Sequence, residues 1–96
     1  MTDANAITVA TQPADLPAPT LTRNARLVLE KRYLRRQGDH LLETPGGCFW
    51  RVATAIAEGS RPFLPDDAAL ETLRRHYYLM MARLEFLPNS PTLMNA

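Results

Sequence analysis

One stretch limits the fold more than any other. Thr44-Pro45 is followed by Phe49, Val52, Ala53, Ile56 and Ala57, and the run closes at Gly59. The hydroxyl of Thr44 suits a helix cap, and proline at the first helical position loses no hydrogen bond because its N–H has no helical partner there. Apolar residues at i, i+3, i+4, i+7 and i+8 put one continuous stripe on one side of a helix. Gly46 and Gly47 oppose this reading, since each weakens a helix by ~1 kcal/mol relative to alanine. Such a helix is stable only when its stripe is covered, so the rest of the chain must supply a partner face.

Two further segments have helical spacing. The first spans about 22–36, capped by Thr22 or Asn24, with Ala25, Val28, Leu29 and the stem of Arg32 on one side. Gln37-Gly38-Asp39-His40 interrupts it, and a short hairpin is one option there, flanked by Tyr33–Leu34 and Leu41–Leu42. The last helix starts at Asp66 or Asp67, where acids favour the positive end of the helix dipole. Leu70, Leu73, Tyr77, Met80, Met81 and Leu84 form its apolar face, and it must stop before Pro88. Phe86 and Leu87 are expected to anchor the end of the chain to the core. The fold class is therefore all-α, a small domain of about three helices over residues 21–87.

The margins differ in character. Residues 1–20 contain three of the eight prolines, two acids and no Lys or Arg, with scattered apolar residues. Such a segment does not bury enough surface to offset its ordering entropy and is expected to be a flexible tail. It has neither a secretory nor a mitochondrial leader pattern. No stretch approaches the ~20 apolar residues of a membrane span. With one cysteine there is no internal disulfide framework and no Cys-rich zinc site, so the expected address is cytoplasmic. At the other margin, Pro88 and Pro91 push Leu87 and Ser90 into extended geometry. Leu93 and Met94 then need a covering surface that residues 88–96 lack, which implies a longer parent protein.

Net charge is +1, yet six of the eleven basic residues fall at Arg23, Arg26, Lys31, Arg32, Arg35 and Arg36. A solvated face or a domain contact fits these better than nucleic-acid binding, because ten acids nearly cancel the basic residues and no nucleic-acid reading motif is present. The alternative is a stand-alone basic helical module that binds an acidic partner or nucleic acid. Cys48 has no cysteine neighbour and no nearby histidine, so a small inert residue fits better than a redox thiol. His40 and His76 lack metal-ligand spacing. Tyr77-Tyr78 beside Met80-Met81 is better read as core than as a cofactor box. Ser90 and Thr92 are different: hydroxyls and free N–H groups on a proline-pinned loop suit a phosphate oxygen, with a structural turn as the other reading.

Leu84-Glu85-Phe86-Leu87-Pro88-Asn89-Ser90-Pro91-Thr92-Leu93-Met94-Asn95-Ala96 closely resembles the LEFLPNSPTLMNA(G) stretch of the adenosylcobalamin-dependent, class II ribonucleotide reductases. Val28-Leu29-Glu30-Lys31-Arg32-Tyr33-Leu34 resembles that family's VLEKRYL. Glu43-Thr44-Pro45 with Phe49 and Arg51-Val52-Ala53 resembles its ETPEEMFxRVA, with Gly46-Gly47 replacing the usual acids. The class I, di-iron enzyme shares a similar cap and loop, but Asn89-Ser90 and Met94 favour the cobalamin type.

The resemblance implies a helical amino-terminal cap on a ten-stranded α/β barrel that reduces ribonucleotides to deoxyribonucleotides by radical chemistry. It implies Ser90 as a contact to the substrate phosphate, with Thr92 beside it, and no catalytic residue within this chain. Adenosylcobalamin would be bound by the downstream region. The implied partners are the ribonucleotide substrate and the remainder of the barrel, with no membrane. The fragment alone is expected to be inactive.

Overall fold

The computed structural model describes residues 9–83. Its elements are α1 (Arg23–Arg32), β1 (Arg36–Gln37), β2 (His40–Leu41), α2 (Pro45–Gly59), a 3-10 turn (Arg61–Phe63) and α3 (Asp67–Ala82). Three helices with one small hairpin make an all-α domain, as the periodicity predicts. The expected end of the last helix, the anchors Phe86 and Leu87, Leu84, and the 88–96 loop with Ser90 and Thr92 lie outside the described residues.

Helix α2 is the centre of the fold. Thr44 caps it, with Oγ1 accepting the Gly47 N–H at 2.9 Å, and Pro45 occupies the first turn. Phe49, Val52, Ala53 and Ala57 are buried and Ile56 is half-buried. The opposing surface comes mainly from α3, through Tyr78, Met81 and Ala82. Tyr78, Phe49, Met81, Val52 and Cys48 are the largest fully buried side chains. Asp66 caps α3 by accepting the Ala69 N–H at 2.9 Å. Arg61 clamps the α2–α3 junction, pairing with Glu58 at 2.8 Å and Asp67 at 2.9 Å.

The face of α3 is rotated from the predicted one. Tyr78 lies off the expected stripe yet is fully buried, whereas Leu70, Leu73, Tyr77 and Met80 are only half-buried. Glu71, Arg74 and Arg75 share the inward side with Tyr78 at helical spacing. Their stems and charges find partners there: Arg74 lies 4.5 Å above the Trp50 ring, and Glu71 pairs with both arginines. Trp50 in turn meets Tyr78 edge-on, with ring centroids 6.0 Å apart. Polar residues with long apolar stems therefore cover the side that a purely apolar stripe assigns to solvent.

Helix α1 is shorter than expected, ending at Arg32 rather than Arg36. Thr22 caps its start, accepting the Ala25 N–H at 3.1 Å. At its other end the Tyr33 and Leu34 N–H groups both donate to the Leu29 carbonyl at 2.9 Å. The Arg36 guanidinium folds back to donate from Nε to the Glu30 carbonyl at 3.0 Å. These bonds satisfy the Leu29 and Glu30 carbonyls, two of the four that the end of a helix leaves open. The hairpin exists, but closer to its turn than expected: Arg36 pairs with Leu41 and Gln37 with His40, around Gly38 at φ 61°. Only Leu29 of α1 is buried, while Val28 stays 48% exposed and Arg32 is exposed, so the expected stripe is only partly used.

Residues 9–20 differ most from expectation. They form a strap across α2 and α3, not a free tail. Ala10 pairs in parallel with Glu43: its N–H donates to the Leu42 carbonyl at 2.8 Å and its carbonyl accepts from the Thr44 N–H at 2.9 Å. Asp15 pairs with Arg75 at 2.8 Å, and the Tyr78 hydroxyl donates to the Pro17 carbonyl at 2.6 Å. Leu16 packs on the core and Pro19 is buried. Gly46 and Gly47 make this approach possible. A Cβ on Gly47 would stand 2.7 Å from the Ala10 carbonyl carbon, and one on Gly46 would stand 3.3 Å from the Pro19 ring and collide with Gln12.

Candidate functional site

Helix α3 is the element that leads toward Ser90 and Thr92, the two residues expected to touch substrate. Neither is among the described residues. The surface from which that segment departs is. Ala82 and Arg83, at the end of α3, face Pro17, Ala18 and Thr20 of the strap across an open cavity of about 500 Å³. The Arg83 N–H donates to the Leu79 carbonyl at 3.0 Å and so closes the last turn. A second, smaller cavity of about 220 Å³ lies at the start of α2, between Thr11, Gln12, Arg26 and Thr44.

A buried polar centre sits at the strap crossing, where Glu43 pairs with Ala10. Glu43 is 4% exposed and accepts hydrogen bonds from the Arg35 N–H at 3.1 Å, from Arg51 Nε at 3.1 Å and from a terminal Arg51 nitrogen at 2.8 Å. A two-pronged guanidinium–carboxylate pair fixes orientation as well as charge. It also raises the Arg51 pKa, chiefly through those hydrogen bonds. The same guanidinium reaches Cys48 Sγ at 3.5 Å. Burial, reinforced by the Glu43 charge, pushes the Cys48 thiol up to about 11. Cys48 is therefore protonated at neutral pH, and only a thiolate is a good nucleophile or metal ligand. The inert reading of Cys48 agrees with this geometry.

The other candidates lie either on the surface or in the core. His40 is exposed in the hairpin and His76 is exposed on α3. Among the described residues no three His, Cys, Asp or Glu side chains gather to hold a metal ion. Tyr78 and Met81 are core. Arg23, Arg26, Lys31, Arg32, Arg35 and Arg36 are all exposed, as expected of a solvated basic face. No helix of the described residues is long and apolar enough to cross a membrane.

Sequence reasoning missed three features that organise this domain: the Glu43–Arg51 pair, Tyr78 as a link to the strap, and the strap itself. The Gly46-Gly47 pair was the available signal. Two glycines in the first turn of a helix are locally unfavourable, and something must approach closely to justify them.

The comparisons add what the described geometry does not contain. The model of the ribonucleotide reductase all-alpha domain matches residues 20–96, the three helices and the segment after them. No curated protein and no solved structure matches. The match spans most of the chain and describes the observed helical architecture, so this chain belongs to the ribonucleotide reductase all-alpha domain family.

Proposed function

We propose that this domain is the amino-terminal cap of an adenosylcobalamin-dependent ribonucleotide reductase, and that its loop after α3 contributes to the grip on the substrate phosphate. The observation that carries the reading is the family match over residues 20–96, which includes the Leu84–Ala96 stretch resembling the class II loop. Ser90 would donate its hydroxyl to a phosphate oxygen, with Thr92 as its neighbour. Pro88 and Pro91 lower the entropy lost when the loop orders on the anion. The chain positions substrate, and the radical chemistry belongs to the rest of the enzyme.

The described residues do not suit a corrinoid. The two cavities described above are open, and the two histidines sit exposed on separate elements. Adenosylcobalamin would then be held by the barrel.

The test uses the full-length enzyme that carries this domain. Turnover should require adenosylcobalamin, and Ser90→Ala should raise KM for the ribonucleotide roughly tenfold or more. That is the range for losing one hydrogen bond to a charged group. An unchanged KM removes Ser90 from the site. Turnover supported by a di-iron subunit instead would overturn the cobalamin assignment and leave the family standing.

A further inference from the structure

We propose that residues 10–19 act as a positioning strap, fixing the end of α3 and thereby the direction in which the chain departs toward Ser90. The inference rests on the substrate-loop reading of Ser90. The strap precedes the region that the family describes, which begins at residue 20.

Three observations carry it. The strap is seated on both helices of the pair. At the start of α2, Ala10 exchanges hydrogen bonds with Leu42 and Thr44, and the Thr44 hydroxyl donates to Thr11 Oγ1 at 2.9 Å. On α3, Asp15 pairs with Arg75 and the Pro17 carbonyl accepts from Tyr78 at 2.6 Å. The seat is shaped for it, because any side chain at Gly47 would strike the Ala10 backbone. Finally, Pro17, Ala18 and Thr20 form one wall of the cavity whose other wall is Ala82 and Arg83. Tyr78 lies one turn before that wall, so the bond from its hydroxyl ties strap and helix end together where the chain leaves α3. A side chain that is fully buried yet commits its one polar group to the strap couples the two elements.

The experiment compares three full-length enzymes: wild type, a deletion of residues 1–19, and Tyr78→Phe. The phenylalanine variant keeps the core ring and removes only the link. Deletion should raise KM for the ribonucleotide about threefold to tenfold with kcat within about twofold, and Tyr78→Phe should shift KM the same way by less. Hydrogen exchange should speed up at residues 78–83 in both variants. A strap that merely stabilises the fold would lower the active fraction and leave KM unchanged. Unchanged KM in both variants of an active enzyme overturns the positioning role, whatever the exchange at 78–83. If the deletion does not fold, Tyr78→Phe decides alone by the same two readouts. If the wild-type enzyme does not reduce ribonucleotides, the functional reading fails. Exchange at 78–83 then still decides whether the strap fixes the helix end.

Discussion

Helix α2 and the strap cross each other, and they are ordered by opposite means. The helix is held by hydrocarbon: Phe49, Val52, Ala53 and Ala57 are removed from water against α3. Each large side chain buried in this way contributes roughly 1.5–3 kcal/mol. The strap contributes little apolar surface beyond Leu16 and Pro19, and is held by backbone pairing to Leu42 and Thr44, one ion pair and one phenol–carbonyl bond. An extended segment can therefore be ordered without an apolar pattern, provided the surface beneath offers unpaired backbone groups and room for the chain. Here that room is two glycines.

Removing charge, not hydrocarbon, at the crossing has the largest expected effect. Glu43 lies opposite Ala10 in the bridge and carries both the Arg51 pair and the Arg35 N–H. Glu43→Ala removes the carboxylate that a partly buried guanidinium and a backbone N–H share. The expected loss is about 3 kcal/mol, in the range for breaking a buried pair. Chemical denaturation measures it. A loss under about 1 kcal/mol would mean that the polar centre is ornamental and that packing alone holds the crossing.

Alkaline titration separates the two regions next. Burial raises Cys48, in α2, from 9.0 to about 11, and raises Tyr78, the strap's partner, from 10.0 to about 12. Both groups are neutral when protonated, so in the folded state each keeps a proton that the unfolded chain releases first. Stability from Cys48 is therefore complete below pH 9 and falls as pH rises through about 11, and that from Tyr78 is lost later, between 10 and about 12. At about 1.4 kcal/mol per pH unit, the Cys48 loss is on the order of 2–3 kcal/mol. Cys48→Ala should flatten the earlier limb of a stability-against-pH curve, and Tyr78→Phe the later one. A wild-type curve level to about pH 11 would show that neither group is as enclosed as the geometry indicates.

How much of this was legible in the sequence divides along the same line. The apolar run of α2, with Thr44-Pro45 before it and Gly59 at its end, determines the helix and its buried face, and Asp66 and Thr22 cap where side-chain chemistry places them. Apolar periodicity reports burial by hydrocarbon and is silent about burial by stems and backbone. It consequently passed over Tyr78, whose helical neighbours are Glu71, Arg74 and Arg75, and it carried α1 past the point where Arg36 turns back onto Glu30. The strap has no apolar periodicity, because its contacts rest largely on main-chain groups that every residue possesses, with Thr11 and Asp15 adding side-chain bonds. The proposed site rests on another signal: Ser90 and Thr92 stand out through the resemblance of their loop and through hydroxyls between prolines, and both lie outside the described residues.

The smallest expected effect is the most discriminating, because two physical arguments give it opposite signs. Gly47→Ala improves helix propensity by ~1 kcal/mol in the first turn of α2. If the strap were a free tail, the variant would be more stable than wild type by a fraction of that amount. With the strap seated, the new methyl meets the Ala10 carbonyl and the Thr11 Cα, and these are backbone atoms that cannot rotate away. Overpacking of that kind costs about 1–3 kcal/mol and outweighs the propensity gain. The net expectation is a loss of about 1 kcal/mol, accompanied by faster hydrogen exchange at the Ala10 and Thr44 amides. Combining Gly47→Ala with deletion of residues 1–19 should reverse the sign, since the colliding atoms are gone and only the propensity gain remains. A double-mutant cycle with no coupling between the two changes would place the strap off the helix and return residues 9–20 to a tail.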